Sequence, residues 1–124
     1  MNIVDSSLWL EYFFENDIDT SIIDVLKDSG KLYVPVISIY EVHKKFLSIG
    51  EFEKANIAVD IMQNATVINI NPQLAILAAQ LGKQYKLPMA DSIIYATAVL
   101  YDAEIYTQDK HFENLDRVRY FTKY

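Results

Sequence analysis

The sequence predicts an α/β fold, a three-layer α/β/α sandwich with a mainly parallel central sheet. Two observations lead to this class. Short apolar segments rich in β-branched residues alternate with segments whose apolar residues recur at helical spacing. The connections between them are short, and the sequence contains no linker, internal repeat or low-complexity tract. We therefore expect residues 1–124 to form a single domain around one sheet.

The predicted elements follow one another along the chain as strands, helices and pairs of helices. The strands are expected at residues 2–4, 31–37, 66–70, 104–107 and 118–121. The helices are expected at about residues 8–14, 21–26, 38–48, 51–63, 72–85 and 89–100, and a short helical turn ends near residue 115. Pro35, within the second strand, suggests an edge strand or a bulge, because proline cannot donate to a strand ladder.

Capping residues predict where several of these helices begin and end. Small polar residues favour N-caps, proline favours the first helical position, and glycine favours the position after a helix. The predicted signals are Ser6 or Ser7 at the first helix, Ser21 with Asp24 at the second, Gly30 after the second, and Asn71 before Pro72.

The composition is that of a folded protein and excludes several kinds of site. Of 124 residues, 52% are hydrophobic, whereas glycine and proline number three each, which excludes a disordered chain. The sequence has no cysteine, so disulfides, thiolate ligands and a cysteine nucleophile are excluded. The longest nearly apolar run, residues 93–101, is too short to span a bilayer. The first residues show no export signal, so the cytoplasm is the expected location.

Four acidic side chains from distant parts of the chain are predicted to meet at the carboxyl edge of the sheet. Asp5 ends the first strand, and Asp109 follows the fourth strand by two residues. Glu41 and Asp91 lie near the starts of helices that lead back into parallel strands. Such helices run antiparallel to the strands, so they begin at the edge where α/β proteins bind their ligands.

Each of these acids also has a purely structural interpretation. Asp5 is placed to cap the first helix, and Asp109 is a common type of turn residue. Glu41 has the spacing of a capping-box partner for Ser38, which is the stronger interpretation for that residue alone. Asp91 is favoured by the helix dipole in a first turn. The convergence of all four side chains, rather than any one of them, indicates a functional site.

A hard divalent cation with oxygen ligands would relieve the repulsion among four clustered carboxylates. Mg²⁺ or Mn²⁺ suits such ligands and Zn²⁺ does not, and this kind of site suits hydrolysis of phosphodiesters by a metal-activated water. Thr107 and Ser6 are placed to hydrogen-bond a metal-bound water or a phosphate. There are two histidines, and of these His111 is expected to be packed or exposed rather than catalytic.

Four segments of the sequence contain these acids, and they are residues 3–7, 38–41, 87–91 with 96–98, and 106–112. In their order and spacing they resemble the PIN-domain ribonuclease family, particularly the VapC-type toxins of VapBC toxin–antitoxin pairs. The resemblance spans the chain and implies a PIN-like α/β/α fold and Mg²⁺- or Mn²⁺-dependent endoribonuclease activity. It also implies a homodimer, an inhibitory antitoxin, and Asp5, Glu41, Asp91 and Asp109 as catalytic and metal-binding residues.

Two other functions remain open at this point. One is a phosphoacceptor signalling domain, although that class normally has an acidic pair after the first strand, where Asp5 is followed by two serines. The other is a non-catalytic module whose acids bind a basic partner. The net charge of −6 argues against nucleic-acid binding through general basicity unless metal ions neutralise the acids. The lysines expected to contact RNA phosphates are Lys44, Lys45, Lys83, Lys86 and Lys110.

Overall fold

A computed structural model describes residues 1–122, and within them five parallel strands form one sheet. The strand order is β3-β2-β1-β4-β5, and every neighbouring pair is parallel. This confirms the predicted parallel sheet and places the first strand at its centre. The strands are β1 (Asn2–Val4), β2 (Leu32–Pro35), β3 (Thr66–Ile68), β4 (Glu104–Thr107) and β5 (Val118–Tyr120).

Six helices within residues 1–122 connect these strands. Two short 3-10 turns, Ser29–Lys31 and Lys110–Phe112, complete the regular structure of this region. The helices are α1 (Ser6–Phe13), α2 (Thr20–Lys27), α3 (Val36–Ser48), α4 (Phe52–Met62), α5 (Pro72–Tyr85) and α6 (Met89–Leu100).

The alternation of side chains along the strands builds a core on each face of the sheet. Val4 and Tyr106 pack on one face with α1, α2, α3 and α4. Ile3 and Ile105, their neighbours in β1 and β4, pack on the other face with α6. Successive residues of a strand point to opposite faces, so a sheet covered on both sides needs such continuous apolar runs. The three-layer α/β/α architecture is therefore confirmed.

The second strand is shorter than predicted and lies inside the sheet. β2 pairs with β1 and β3 and ends at Pro35, so the expectation of an edge strand was wrong. Proline is tolerated there because it is the last strand residue and immediately precedes α3. Val36 and Ile37, which look like a continuation of a buried strand, form the first turn of α3 instead.

Two predicted helix starts shift by one or two residues because aspartate takes the cap position. The side chain of Asp5 accepts a hydrogen bond from the Ser6 backbone, so neither Ser6 nor Ser7 caps α1. Asp19, rather than Ser21, caps α2. An ionised aspartate is as good an N-cap acceptor as serine and also suits the helix dipole.

Other local predictions divide between confirmed and corrected. Asn71 caps α5 through a 2.9 Å hydrogen bond from the Leu74 backbone, and Pro72 is its first residue, as predicted. Gly30 does not follow α2 directly, because Asp28 closes that helix and a 3-10 turn comes next. The third strand ends at residue 68, the last helical turn at residue 112 and the fifth strand at residue 120, each earlier than expected.

Helices α5 and α6 pack closely at the point where Gly82 faces Ser92. A Cβ atom added to Gly82 would lie 3.0 Å from the Cβ of Ser92. The left-handed Lys86 (φ 57°) closes α5, and α6 begins after Pro88. This contact therefore fixes where the first turn of α6, which carries Asp91, meets the rest of the protein.

Candidate active site

All four predicted acids line one cleft at the carboxyl edge of the sheet. Asp5 directly follows β1, Asp109 lies two residues after β4, and Asp91 is the third residue of α6. Glu41 is the sixth residue of α3. The cleft has a volume of about 450 Å³, and we call it the acidic cleft. Its lining residues are Asp5, Ser6, Ser7, Leu10, Tyr40, Glu41, Lys44, Lys45, Ser48, Asp91 and Asp109.

Asp5 is the most deeply buried of the four acids, and its two carboxylate oxygens are both hydrogen-bonded. Oδ1 accepts from the Ser6 backbone at 2.8 Å, and Oδ2 accepts from the hydroxyls of Thr107 and Ser7 at 2.8 and 3.1 Å. Burial raises the pKa of Asp5 to about 6, and the hydrogen bonds from Thr107 and Ser7 oppose that rise. Asp5 thus caps α1 and also faces the acidic cleft.

Thr107 connects two of the acids from behind the cleft. Its fully buried hydroxyl donates to Asp5 and accepts a 2.9 Å hydrogen bond from the Asp109 backbone. A hydroxyl has a single proton to donate. That proton is used on Asp5, so Thr107 is placed to position acids rather than to contact a phosphate.

Glu41 is held by the other predicted hydroxyl. The Oγ atom of Ser6 donates to Oε1 of Glu41 at 2.6 Å, and both residues line the acidic cleft. Because α3 begins at Val36, Ser38 lies within the helix and is not an N-cap. The capping-box interpretation of Glu41 is therefore wrong, and its carboxylate points into the cleft instead.

The negative charge of Asp109 disfavours ionisation of the Asp91 carboxyl. Burial, followed by the charges of Asp109 and Asp5, raises the pKa of Asp91 to about 8. A carboxyl that holds its proton near neutral pH is unusual in a helix first turn, where the dipole would lower its pKa. A cation bound beside this carboxyl would favour its ionised form.

His111 lies beside this pair, which the sequence analysis did not predict. It is exposed as expected, yet its Nδ1 is 2.8 Å from Oδ1 of Asp109 and 3.3 Å from Oδ2 of Asp91. The contact with Asp91 joins elements 20 residues apart, so no local pattern reveals it. The only local signal is the position of His111 two residues after an acid and just before the buried Phe112.

The donors of the acidic cleft fit a divalent cation. Ligand atoms of Asp91, Asp109 and His111 lie within 4.8 Å of one another, and the other acids line the same cleft. Ionised carboxylates in one cleft repel one another, which contributes to the raised pKa values, and a bound divalent ion offsets that repulsion. The fit comes from the chemistry of these donors together with the raised pKa values of Asp5 and Asp91.

The fold and site define a parallel α/β protein with a carboxylate-lined cleft at the carboxyl edge of its sheet. The model of the PIN domain matches residues 3–118, which is most of the sequence. The chain belongs to the PIN-domain family. No curated protein sequence gives a significant match.

Solved structures share this fold at low sequence identity. A toxin–antitoxin complex from Klebsiella pneumoniae contains a chain with 21% identity and a TM-score of 0.80, with 99% of this chain and 100% of that chain covered. The structure of VapBC2 from Rickettsia felis, bound to a DNA fragment from its promoter, has a chain with 12% identity and a TM-score of 0.76, with 98% of this chain and 97% of that chain covered. The structure of DNA-bound VapBC from Salmonella typhimurium has a chain with 14% identity and a TM-score of 0.76, with 98% of each chain covered. Among the helices of residues 1–122, none combines the length and apolarity needed to cross a bilayer.

Proposed function

We propose that this protein is a Mg²⁺- or Mn²⁺-dependent endoribonuclease and the VapC-type toxin of a toxin–antitoxin pair, acting in the cytoplasm. The observation that carries this proposal is the acidic cleft, in which four carboxylates from four separate elements converge. Such a set of hard oxygen donors suits a divalent ion, and membership of the PIN-domain family supports nuclease chemistry.

Asp5, Glu41, Asp91 and Asp109 are the proposed metal-binding and catalytic residues. A divalent ion bound among them supplies an activated water and neutralises charge on the scissile phosphate. Ser6 orients Glu41, and Thr107 holds Asp5 and the Asp109 backbone in register. The burial of Asp5 excludes bulk water from this end of the cleft, which strengthens electrostatic interactions there.

The other wall of the cleft suits a single-stranded nucleic acid. Lys44 and Lys45 line the cleft together with Tyr40, a residue that is 56% exposed. The Nζ atom of Lys44 lies 5.6 Å from the centre of the Tyr40 ring. Lysines offer contacts to phosphates, and an exposed ring offers a stacking surface for an unpaired base. RNA that is read by proteins is usually unpaired, so a single-stranded or looped RNA is the proposed substrate.

The proposed protein partner is an antitoxin that places an arginine or lysine in the acidic cleft. The structural relatives include a toxin–antitoxin complex and two VapBC complexes. A net charge of −6 favours a basic partner, and an arginine fork pairs well with clustered carboxylates. Association of two copies of this chain into a homodimer is part of the same proposal.

RNA cleavage by the purified protein tests the nuclease assignment. We expect cleavage of a single-stranded RNA with Mn²⁺ or Mg²⁺, none in EDTA, and none by Asp91→Asn with either ion. Cleavage that persists in EDTA would exclude the metal mechanism. Labelling of Asp5 by a small phosphodonor would instead support a phosphoacceptor domain, although hydrogen bonds already occupy both oxygens of Asp5. Metal binding without cleavage of any RNA would favour a non-catalytic module.

A further inference from the structure

The backbone of His111 holds its imidazole against two acids of the cleft. The backbone N–H donates a 2.9 Å hydrogen bond to Oδ1 of Asp109. The next residue, Phe112, is fully buried and anchors the 3-10 turn Lys110–Phe112. The ring is therefore brought to Asp91 and Asp109 by fixed backbone, even though its side chain is 55% exposed.

Two of the separations among these three side chains are close to those of neighbouring metal ligands. In an octahedral site with bonds of about 2.1 Å, adjacent ligand atoms lie about 3.0 Å apart. Nδ1 of His111 lies 2.8 Å from the Asp109 oxygen and 3.3 Å from the Asp91 oxygen. One nitrogen and two carboxylate oxygens lie within 4.8 Å of one another, so a cation that replaces the hydrogen bond between His111 and Asp109 can be shared by all three.

A nitrogen donor changes which cation the cleft prefers. Mg²⁺ is a hard ion that is held by oxygen ligands, whereas imidazole suits first-row transition metals. We propose that Nδ1 of His111 is a direct ligand to the cation held by Asp91 and Asp109, and that it makes the site select Mn²⁺ over Mg²⁺. This inference rests on the proposed metal-dependent function and narrows its cofactor.

Metal binding measured without RNA tests this inference. Calorimetry gives the affinities for Mn²⁺ and Mg²⁺, and electron spin-echo spectroscopy of the Mn²⁺-loaded protein detects coupling to an imidazole nitrogen. His111→Ala is the test variant. Because the His111 side chain is exposed, this variant should fold normally, and circular dichroism checks that it does. His43→Gln is the matched control, because His43 does not line the cleft and its Nδ1 lies 3.2 Å from the Ala55 carbonyl.

We expect nitrogen coupling in the parent and in His43→Gln, and its loss in His111→Ala. The preference for Mn²⁺ over Mg²⁺ should fall by about tenfold or more, since even loss of an outer-shell partner costs 10–100-fold in metal affinity. Coupling or selectivity that is unchanged in His111→Ala would overturn the inference and leave the proposed nuclease function standing. A parent protein that binds neither ion would overturn both.

Discussion

The hydroxyl of Thr107 donates a 2.8 Å hydrogen bond to the carboxylate of Asp5, across 102 residues of sequence. Thr107 ends β4 and Asp5 directly follows β1, and these two strands are neighbours in the sheet. The same hydroxyl accepts from the Asp109 backbone at 2.9 Å. One buried group therefore sets the relative positions of two of the proposed metal ligands.

Replacing Thr107 with valine should reduce both stability and RNA cleavage. Valine has the same shape but leaves the buried Asp109 N–H unpaired and removes a donor to Asp5, at a cost of about 1–3 kcal/mol. Chemical denaturation and cleavage rates measure the two effects. Thr107→Ser is the matched control and should keep most of both, because it retains the hydroxyl. Full activity in Thr107→Val would show that these acids do not need this support.

Replacing Glu41 with glutamine should leave the protein folded but remove most cleavage. The amide oxygen of glutamine can still accept the hydrogen bond from Ser6, so the melting temperature should stay near that of the parent. The amide has no negative charge with which to bind a cation or orient a water. Glu53→Gln, at an exposed position in α4, is the control and should cleave normally. Parent-like cleavage by Glu41→Gln would reduce the site to Asp5, Asp91 and Asp109.

Replacing Ser38 with alanine tests whether Ser38 acts as an N-cap with Glu41 as its capping-box partner. Ser38 is fully buried within α3, and its hydroxyl has no hydrogen-bond partner in the part of the chain that the structure describes. Removing an unpaired buried polar group is neutral or stabilising. We therefore expect Ser38→Ala to keep or raise the melting temperature, where loss of an N-cap would cost about 1 kcal/mol. A clear loss of stability would contradict this placement of the hydroxyl.

The metal-free protein should lose stability as pH rises from about 4 to about 8. The pKa values of Asp5 and Asp91 are raised to about 6 and about 8 in the folded protein. The unfolded chain therefore binds fewer protons than the folded one in this range, so the free energy of unfolding falls with pH. Melting curves in EDTA at several pH values measure this slope, and saturating Mn²⁺ or Mg²⁺ should flatten it.

Asp91→Asn should raise the melting temperature in EDTA at pH 8 and remove the part of the slope above pH 6. Asparagine relieves the burden of a charge buried beside Asp109. Asp60→Asn, an exposed change in α4, is the control and should leave the slope unchanged. A slope of opposite sign in the parent would show that folding lowers, rather than raises, the pKa values of these carboxyls.

Replacing Lys44 and Lys45 with alanine should weaken RNA binding and make it less dependent on salt concentration. Each phosphate contact contributes about 0.7 to the salt dependence of single-strand binding. Fluorescence anisotropy with a labelled RNA, and with Ca²⁺ in place of the catalytic ion, should show that the RNA affinity of the variant falls less steeply as the salt concentration rises. Lys27→Ala, in α2 and away from the cleft, is the control. If the salt dependence of RNA binding is equal in the parent, in the variant that lacks both lysines and in Lys27→Ala, then Lys44 and Lys45 do not contact RNA phosphates.

The sequence was informative wherever short-range chemistry decides the structure. Asn71 and Pro72 define the start of α5 through one local hydrogen bond and a preset φ, and this prediction is confirmed. The predicted cap at Ser38 is wrong because Val36 and Ile37, with strong strand propensity, are drawn into a helix by packing. Propensity is a weak guide where tertiary contacts compete with it.

In the candidate site too, some positions follow from local sequence and others depend on tertiary packing. Asp5 and Asp109 follow strands, so the geometry of parallel sheets predicts that they meet, and they do. Their roles as ligands stay a prediction. The position of His111 depends on how α6 packs beside the turn after β4, and no single stretch of sequence encodes that distance.

The central position of β1 has a consequence for synthesis on the ribosome. β1 is made first, but one of its two neighbours, β4, begins a hundred residues later. Until β4 emerges, a nascent chain can offer Asp5 and Glu41 but lacks Asp109 and the frame that aligns all four acids. Pairing of such distant segments is also slow, because a long loop must close first. The four acids of the cleft can therefore be aligned only when translation of the domain is nearly finished.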